Sequence, residues 1–304
     1  MTPYLLPEQN KLADIYRKLK QSLAIAEPER EAQIILERVT GLSASDLIAK
    51  TDQTLTTKQI SEIYSIRDRR NQERIPLAYI LEEAHWRDLK LFVNQDVLIP
   101  RPETELLVDI VLEEIKQRDT HQPRILDLCT GSGCIAIALK RALPAASIYA
   151  SDISRAALNV AAINAKRYEV DIDFVMGDYL DPFLGQSQSP VAIPVMKGKP
   201  PYFDLIVSNP PYVSEPDYQE LEPELHHEPK HALVGFPYKQ IKQQVIEAKL
   251  IEEGGFMAFE FGQGQRPELE AIFPQAKFHK DLENNDRILV WTYQPELILG
   301  FKEL

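Results

Sequence analysis

The chain has 304 residues, enough for two domains and a large buried core. Its composition, 44% hydrophobic and 26% charged, is that of an ordinary globular protein, and no run of about 18 uncharged apolar residues suggests a membrane span. A net charge of −12 argues against a broad phosphate-binding surface, where affinity comes from Lys and Arg neutralising the backbone.

The first residues lack a basic flank followed by an apolar core, so no secretory signal is expected. Cys129 and Cys134 have no partner cysteines, which fits small packing residues in a reducing cytoplasm better than a disulfide scaffold or a zinc site. The charge is uneven. Residues 1–75 hold 12 Lys+Arg against 11 Asp+Glu, leaving 22 against 35 in the remainder.

Residues 8–75 read as helices. Leu12, Ile15, Tyr16, Leu19 and Leu23 recur at helical spacing, as do Ala32, Ile35, Leu36 and Val39. Ser43 and Thr56-Thr57-Lys58-Gln59 have the form of helix N-caps, and the second of these helices carries Ile60, Ile63 and Tyr64 on one face. The basic cluster Arg67, Arg69, Arg70 and Arg74 is expected to be a solvated face, with a partner contact as the alternative. Pro76 should end the bundle. Residues 86–99 alternate around Asn94-Gln95-Asp96, which predicts a β-hairpin linker.

From about residue 123 strands alternate with helices. Strands are expected near 125–128, 147–151, 172–176, 203–208 and 256–261. Helices are expected near 133–143, 155–168, 239–251 and 265–273. This rhythm specifies a parallel sheet covered on both faces. The tail departs from it, because 276–280 and 287–293 leave no room for a helix between them and predict a closing antiparallel hairpin. Residues 185–201, rich in Pro, Gly and Ser, read as a flexible insertion.

The strand Arg124-Ile125-Leu126-Asp127-Leu128 breaks into Cys129-Thr130-Gly131-Ser132-Gly133 before a helix. Glycines there let the backbone approach a ligand and leave N–H groups free at a helix start. Gly131–Ala136 also satisfies the G-x-G-x-x-A form of a dinucleotide fingerprint, so the loop alone is ambiguous. The acids tilt the choice. Asp127 could face the amino group of a methionine moiety, Asp152 could take both ribose hydroxyls, and Asp178 with Tyr179 is placed to bracket an adenine. Carboxylates suit a sulfonium nucleoside carrying an amino acid better than a pyrophosphate.

Asn209-Pro210-Pro211-Tyr212 follows the apolar strand Phe203–Ser208. A planar NH2 is a poor nucleophile because its lone pair is delocalised. Accepting hydrogen bonds from both of its hydrogens fixes the nitrogen in line with a methyl donor. The side-chain carbonyl of Asn209 and the main-chain carbonyl of Pro210 can do this, stiffened by two prolines, while Tyr212 offers a face to stack on the flat amide. His226, His227 and His231 lack an acid-rich ligand set, so no metal is expected.

Asn-Pro-Pro-Tyr after the fourth strand resembles the amino-methyltransferases, whose targets are exocyclic base amines or glutamine amides. Pro100-Arg101-Pro102-Glu103-Thr104-Glu105 resembles the signature of the release-factor glutamine methyltransferases, the HemK/PrmC family. Pro76–Ile80, Trp86, Asp96–Pro100, Glu228-Pro229 with Ala232-Leu233, Glu260 with Gly262 and Gln265, and Asp281-Leu282 with Asp286-Arg287 fit the same family in the same order. Glu82 and Asn284 stand where that family usually has glycine, and Phe236 where a second glycine is common.

The resemblance implies a Rossmann-like methyltransferase sheet of α/β class, mostly parallel with a C-terminal antiparallel hairpin, and a small N-terminal helical domain. It implies a substrate-docking domain at 1–76, the hairpin linker at 77–99 and the catalytic domain at 100–304. The reaction implied is methylation of the glutamine in the Gly-Gly-Gln motif of peptide-chain release factors. S-adenosyl-L-methionine would be the donor and S-adenosyl-L-homocysteine the product, with no metal. The expected cofactor-binding residues are Asp127, Cys129, Thr130, Gly131, Ser132, Gly133, Asp152, Asp178, Tyr179 and Asn209. Asn209, Pro210 and Tyr212 are expected to be catalytic, with Pro211, Arg101 and Glu103 joining them in binding substrate. A cytoplasmic monomer contacting neither nucleic acid nor membrane is expected. The alternatives are a glutamine methyltransferase acting on a ribosomal protein, a DNA amino-methyltransferase, an NAD-dependent oxidoreductase and a docking protein without activity.

Overall fold

A computed structural model describes residues 10–184 and 203–295, so the insertion expected at 185–201 lies outside the described residues. The described chain forms two compact units. One holds the residues up to Glu83 together with Glu222–His227, and the other Ala84–Leu221 and the residues from Glu228 onward.

The first unit is helical: α1 (Leu12–Ser22), α2 (Pro28–Thr40), α3 (Ala44–Ala49), α4 (Thr57–Gln72) and α5 (Leu77–Leu81). Both expected N-caps form capping boxes, Ser43 with Asp46 and Thr56 with Gln59. The apolar stripes meet in one core that includes Leu12, Ile15, Leu19, Ala32, Ile35, Leu36, Ile60 and Ile63. Leu77 and Leu81 bury in that core too, so the helical unit runs on to Glu83 instead of ending at Pro76. Glu82 closes α5 in the left-handed conformation, at φ +53°, without the freedom of a glycine.

The basic cluster is not one solvated face. Arg69 is exposed and the Arg67 guanidinium stacks 4.5 Å over the Tyr64 ring, but Arg70 is buried. Arg70 lies between Glu31 at 3.0 Å and Glu224 at 2.9 Å, and Arg74 reaches Glu224 at 2.8 Å. A buried guanidinium needs such partners, and they lie far off in sequence.

The second unit opens with an antiparallel hairpin, β1 (Ala84–Trp86) and β2 (Leu89–Leu91). Trp86 pairs with Leu89, so the turn is Arg87-Asp88 and the strands lie earlier than expected. Asn94-Gln95-Asp96 forms an Asx turn instead, with Asp96 N–H donating to Asn94 Oδ1 at 3.0 Å. Next comes α6 (Thr104–Gln117), a helix missing from the sequence reading although Leu107, Val108, Val111 and Ile115 mark one face.

The remaining elements are β3 (Arg124–Leu128), α7 (Cys134–Ala142), β4 (Ser147–Asp152), α8 (Arg155–Arg167), β5 (Asp173–Met176), β6 (Phe203–Ser208), α9 (Glu215–Gln219), α10 (Tyr238–Glu247), β7 (Ile251–Glu260), α11 (Arg266–Ile272), β8 (Lys277–Lys280) and β9 (Asp286–Thr292). The sheet order is β5-β4-β3-β6-β7-β9-β8. The first five strands pair in parallel, and β9 pairs antiparallel with both β7 and β8. This is the Rossmann-like methyltransferase sheet. Asn284 takes φ +68° in the β8–β9 turn, a conformation Asn adopts readily. Strand order reverses between β3 and β6, and ligand clefts in such sheets open at the carboxyl ends of the strands there.

The loop after β3 is held from below. Gly131 at φ +54° and Gly133 at φ +81° make the turn, and Thr130 N–H donates to the Ser151 carbonyl at 2.9 Å. Asp127 was expected to face a ligand amino group, but it is fully buried under this loop. Its Oδ2 accepts from the Thr130 hydroxyl at 2.6 Å and from Ala136 N–H at 3.1 Å. Burial pushes its pKa up to about 7, and Oδ1 has no hydrogen-bond partner.

Arg70→Ala would strand Glu31 and leave Glu224 to Arg74 alone, so it should lower unfolding free energy by about 3 kcal/mol in urea titration; an effect within about 0.5 kcal/mol would show that the cluster is not structural. Asp127 gives a pH signature. Its folded-state pKa lies above the ordinary 3.8, so its contribution is complete below about pH 4 and is lost as pH rises through about 7. Asp127→Asn cannot titrate. The stability of the parent chain relative to this variant should therefore fall across that window and level off above it, whereas a flat difference would place the ionised form in the native state.

Candidate active site

The cleft opens along the carboxyl ends of β3, β4, β5 and β6. Its lining includes Cys129, Thr130, Gly131 and Ser132 from the loop, Asp152 from β4, Gly177, Asp178 and Tyr179 after β5, and Asn209 and Pro211 after β6. Asp96, Val97, Leu98, Pro100, Thr104, Ser151 and His231 also face it. Three of the lining residues are carboxylates, and no Lys or Arg is among the described lining. A pyrophosphate would gain little here, whereas a cationic nucleoside would be stabilised.

Each expected nucleoside contact has a local cause. Asp152 ends β4 and is mostly buried. Its Oδ2 accepts from Gly131 N–H at 3.0 Å and its Oδ1 from Ser154 N–H at 2.9 Å, so it braces the loop and keeps a lone pair on each oxygen. Burial raises its pKa. Asp178 is exposed at the rim. Tyr179 has φ +41°, donates its hydroxyl to the Gly235 carbonyl at 3.1 Å and meets Phe236 edge-on at 5.2 Å between centroids. Phe236 thus props the tyrosine wall. Cys129 holds φ +61°, a strained geometry for a side chain with a Cβ, and burial pushes its thiol well up. Cys134 is pushed up to about 12, so both cysteines are protonated packing groups.

Two expected cofactor residues stand behind the cleft, Asp127 and Gly133. Gly133 begins α7 against α8, and a Cβ there would come within 3.1 Å of Ala161 Cβ. Gly177 was missed. A Cβ on it would lie 2.0 Å from Pro182 Cγ, so only glycine fits, and the Gly-Asp pair directly after β5 was the available signal.

At the Asn209 end one carboxylate organises four elements. Asn209 Nδ2 donates to Thr104 Oγ1 at 2.9 Å, and the Thr104 hydroxyl donates to Glu260 Oε2 at 2.7 Å. The Tyr212 hydroxyl donates to Glu260 Oε1 at 3.1 Å, and Gln265 Nε2 donates to the Tyr212 carbonyl at 2.8 Å. Burial raises the pKa of both Glu260 and Tyr212. Asn209 Oδ1 is buried without a hydrogen-bond partner, as is Ser151 Oγ in the lining. Among the described residues no hydrogen bond reaches the Pro210 carbonyl. Unpaired buried acceptors are costly, and at a cleft they read as groups reserved for a ligand.

Pro210, Tyr212, Arg101 and Glu103 do not line the cleft. Arg101 donates to Glu228 Oε1 at 2.6 Å while Glu228 Oε2 accepts Ile99 N–H at 3.1 Å, so this arginine pins its own loop. Glu103 immediately precedes α6. Among the described residues no cluster of His, Cys, Asp and Glu could hold a metal ion, and no helix is long and apolar enough to cross a membrane.

Comparison with known proteins agrees with this geometry. The family model of the PrmC N-terminal domain matches residues 12–81, and that of the methyltransferase small domain matches residues 103–234. A release factor glutamine methyltransferase from Gloeobacter violaceus is 37% identical over 243 residues, covering 78% of this chain and 79% of the relative. One from Agrobacterium fabrum is 33% identical over 290 residues, covering 90% and 94%. One from Chlorobaculum tepidum is 37% identical over 270 residues, covering 84% and 87%. With that likeness running through both units, this chain belongs to the release factor glutamine methyltransferase family.

Proposed function

We propose that the chain methylates the side-chain amide nitrogen of the glutamine in the Gly-Gly-Gln motif of peptide-chain release factors, using S-adenosylmethionine. The observation that carries this reading is Asn209 Oδ1, a buried acceptor without a hydrogen-bond partner at the end of a carboxylate-lined cleft, next in the chain to a Pro210 carbonyl that no hydrogen bond reaches among the described residues. When bound, the donor supplies an electrophilic methyl group on a sulfonium sulfur.

The chain's own residues do the rest. Asp152 holds the ribose hydroxyls, and Asp178 with the Tyr179 ring borders the adenine. Thr130, Gly131, Ser132 and Cys129 wrap the donor's amino-acid end, with Asp127 acting from beneath by fixing the loop. Asn209 and Pro210 accept the two amide hydrogens, and Tyr212 and Pro211 flank the flat group. As the new N–C bond forms and the C–S bond breaks, the amide nitrogen loses a proton to solvent, so no strong base is needed. Arg101 and Glu103 shape the substrate loop from behind. The helical unit docks the release factor, and the enzyme acts in the cytoplasm as a monomer without touching nucleic acid, in keeping with a net charge of −12.

Incubation with purified release factors and labelled donor, followed by mass mapping, should place one methyl group on that glutamine; label on a ribosomal protein alone would move the assignment to that substrate. Asn209→Ala should lower kcat by roughly 100-fold or more while leaving S-adenosylhomocysteine affinity nearly unchanged. Equal loss of both would contradict the role assigned to Asn209. Asp152→Ala should weaken S-adenosylhomocysteine binding about tenfold or more by calorimetry, and unchanged affinity would place the ribose elsewhere.

A further inference from the structure

We infer that Thr104 and Glu260 are positioning residues which set the sense of the Asn209 carboxamide, so that its oxygen and not its nitrogen faces the acceptor amide. This rests on the role proposed for Asn209. A carboxamide is nearly symmetric in shape, and a half-turn exchanges a carbonyl for an NH2. In the wrong sense Asn209 would offer hydrogens to a group that itself offers hydrogens, and the substrate nitrogen would not be held. Packing alone discriminates poorly between the two senses, so something chemical must do it.

The chain of donors supplies the discrimination. An ionised carboxylate only accepts. Glu260 Oε2 takes the Thr104 hydroxyl hydrogen at 2.7 Å, and Oε1 takes the Tyr212 hydroxyl hydrogen at 3.1 Å. Thr104 has one hydrogen to give. Once it points at Glu260, only lone pairs remain for Asn209, which must answer with Nδ2, at 2.9 Å. In the flipped sense Asn209 Oδ1 would sit against the Thr104 lone pairs, acceptor against acceptor. Thr104 and Glu260 are each 1% exposed, so water cannot relax that rule by bridging. The three groups come from the start of α6, the end of β7 and the loop after β6, and nothing in their local backbones requires them to meet.

Substitutions at Thr104 and Glu260, alone and beside Asn209→Ala, test this. Thr104→Val keeps the side-chain shape and removes the hydroxyl, whereas Thr104→Ser keeps the hydroxyl. Thr104→Val should lower kcat on release factor about 10- to 100-fold, with S-adenosylhomocysteine affinity within about twofold of the parent, and Thr104→Ser should restore most of the turnover. Glu260→Gln, which can accept from only one of the two hydroxyls, should cause a smaller loss. In an Asn209→Ala background Thr104→Val should add nothing further, because no carboxamide is left to orient. Parent-like kcat in Thr104→Val, or losses that multiply on top of Asn209→Ala, would overturn the relay. So would loss of S-adenosylhomocysteine binding by both Thr104→Val and Glu260→Gln, which would mark a purely structural role. If Asn209→Ala itself retained full turnover, the reading of Asn209 would fail. If Asn209→Ala lost turnover and Thr104→Val did not, only the relay would fail.

Discussion

The site depends on the pairing of β3 with β6, two strands far apart in sequence, in the register Ile125–Leu205, Leu126–Ile206 and Asp127–Val207. That register sets the glycine loop and the Asn-Pro-Pro-Tyr motif side by side at the carboxyl ends of two adjacent central strands. The Ser208 hydroxyl ties the two strand ends together by donating to the Leu128 carbonyl. A shift by one residue would turn every side chain to the opposite face and separate the two motifs. The apolar cluster of Leu126, Leu128, Ile206, Met257, Phe259 and Leu289 makes such a slip costly, since these side chains are all buried in one core.

On that frame the molecule holds several unfavourable local states. Cys129 and Tyr179 have positive φ at the cleft, and Asp127 Oδ1, Ser151 Oγ and Asn209 Oδ1 lack hydrogen-bond partners. Each would be removed by a sequence selected for stability alone. At the carboxyl edge of the sheet, the unpaired acceptors Ser151 Oγ and Asn209 Oδ1 in the lining are what distinguish a ligand cleft from a turn. A low-dielectric wall of carboxylates makes the same edge suited to a cationic nucleoside, and it explains why a chain with surplus acid can still attract its ligand.

Much of this was legible in the residues. Apolar runs predicted β3, β4, β5 and β6 nearly residue for residue, most directly β3 and β6, which are buried on both faces and so are continuous in hydrophobicity. Capping at Ser43 and Thr56 was readable because a cap is a contact between residues three apart. The hairpin was misplaced. Asn94-Gln95-Asp96 carries turn residues, yet the strands close two residues after Trp86 through Arg87 at φ +51°, against local preference. The helix at Thr104–Gln117 went unread behind the motif that precedes it.

Residue types and their order along the chain sufficed for the fold class and for bringing Cys129 to Ser132, Asp152, Asp178, Tyr179 and Asn209 to one cleft, because each motif occupies a few adjacent positions. Three-dimensional packing alone settled that Asp127 supports the loop instead of facing the cleft and that Arg101 is held by Glu228. It also put Arg70 between two distant carboxylates and routed the orientation of Asn209 through Thr104 to Glu260. Apart from Asp127, whose partners Thr130 and Ala136 are near neighbours in the chain, these are contacts between groups separated by dozens to more than a hundred positions. Hydrogen-bond direction and burial at such range follow from how strands and helices meet, which no local pattern of residues records.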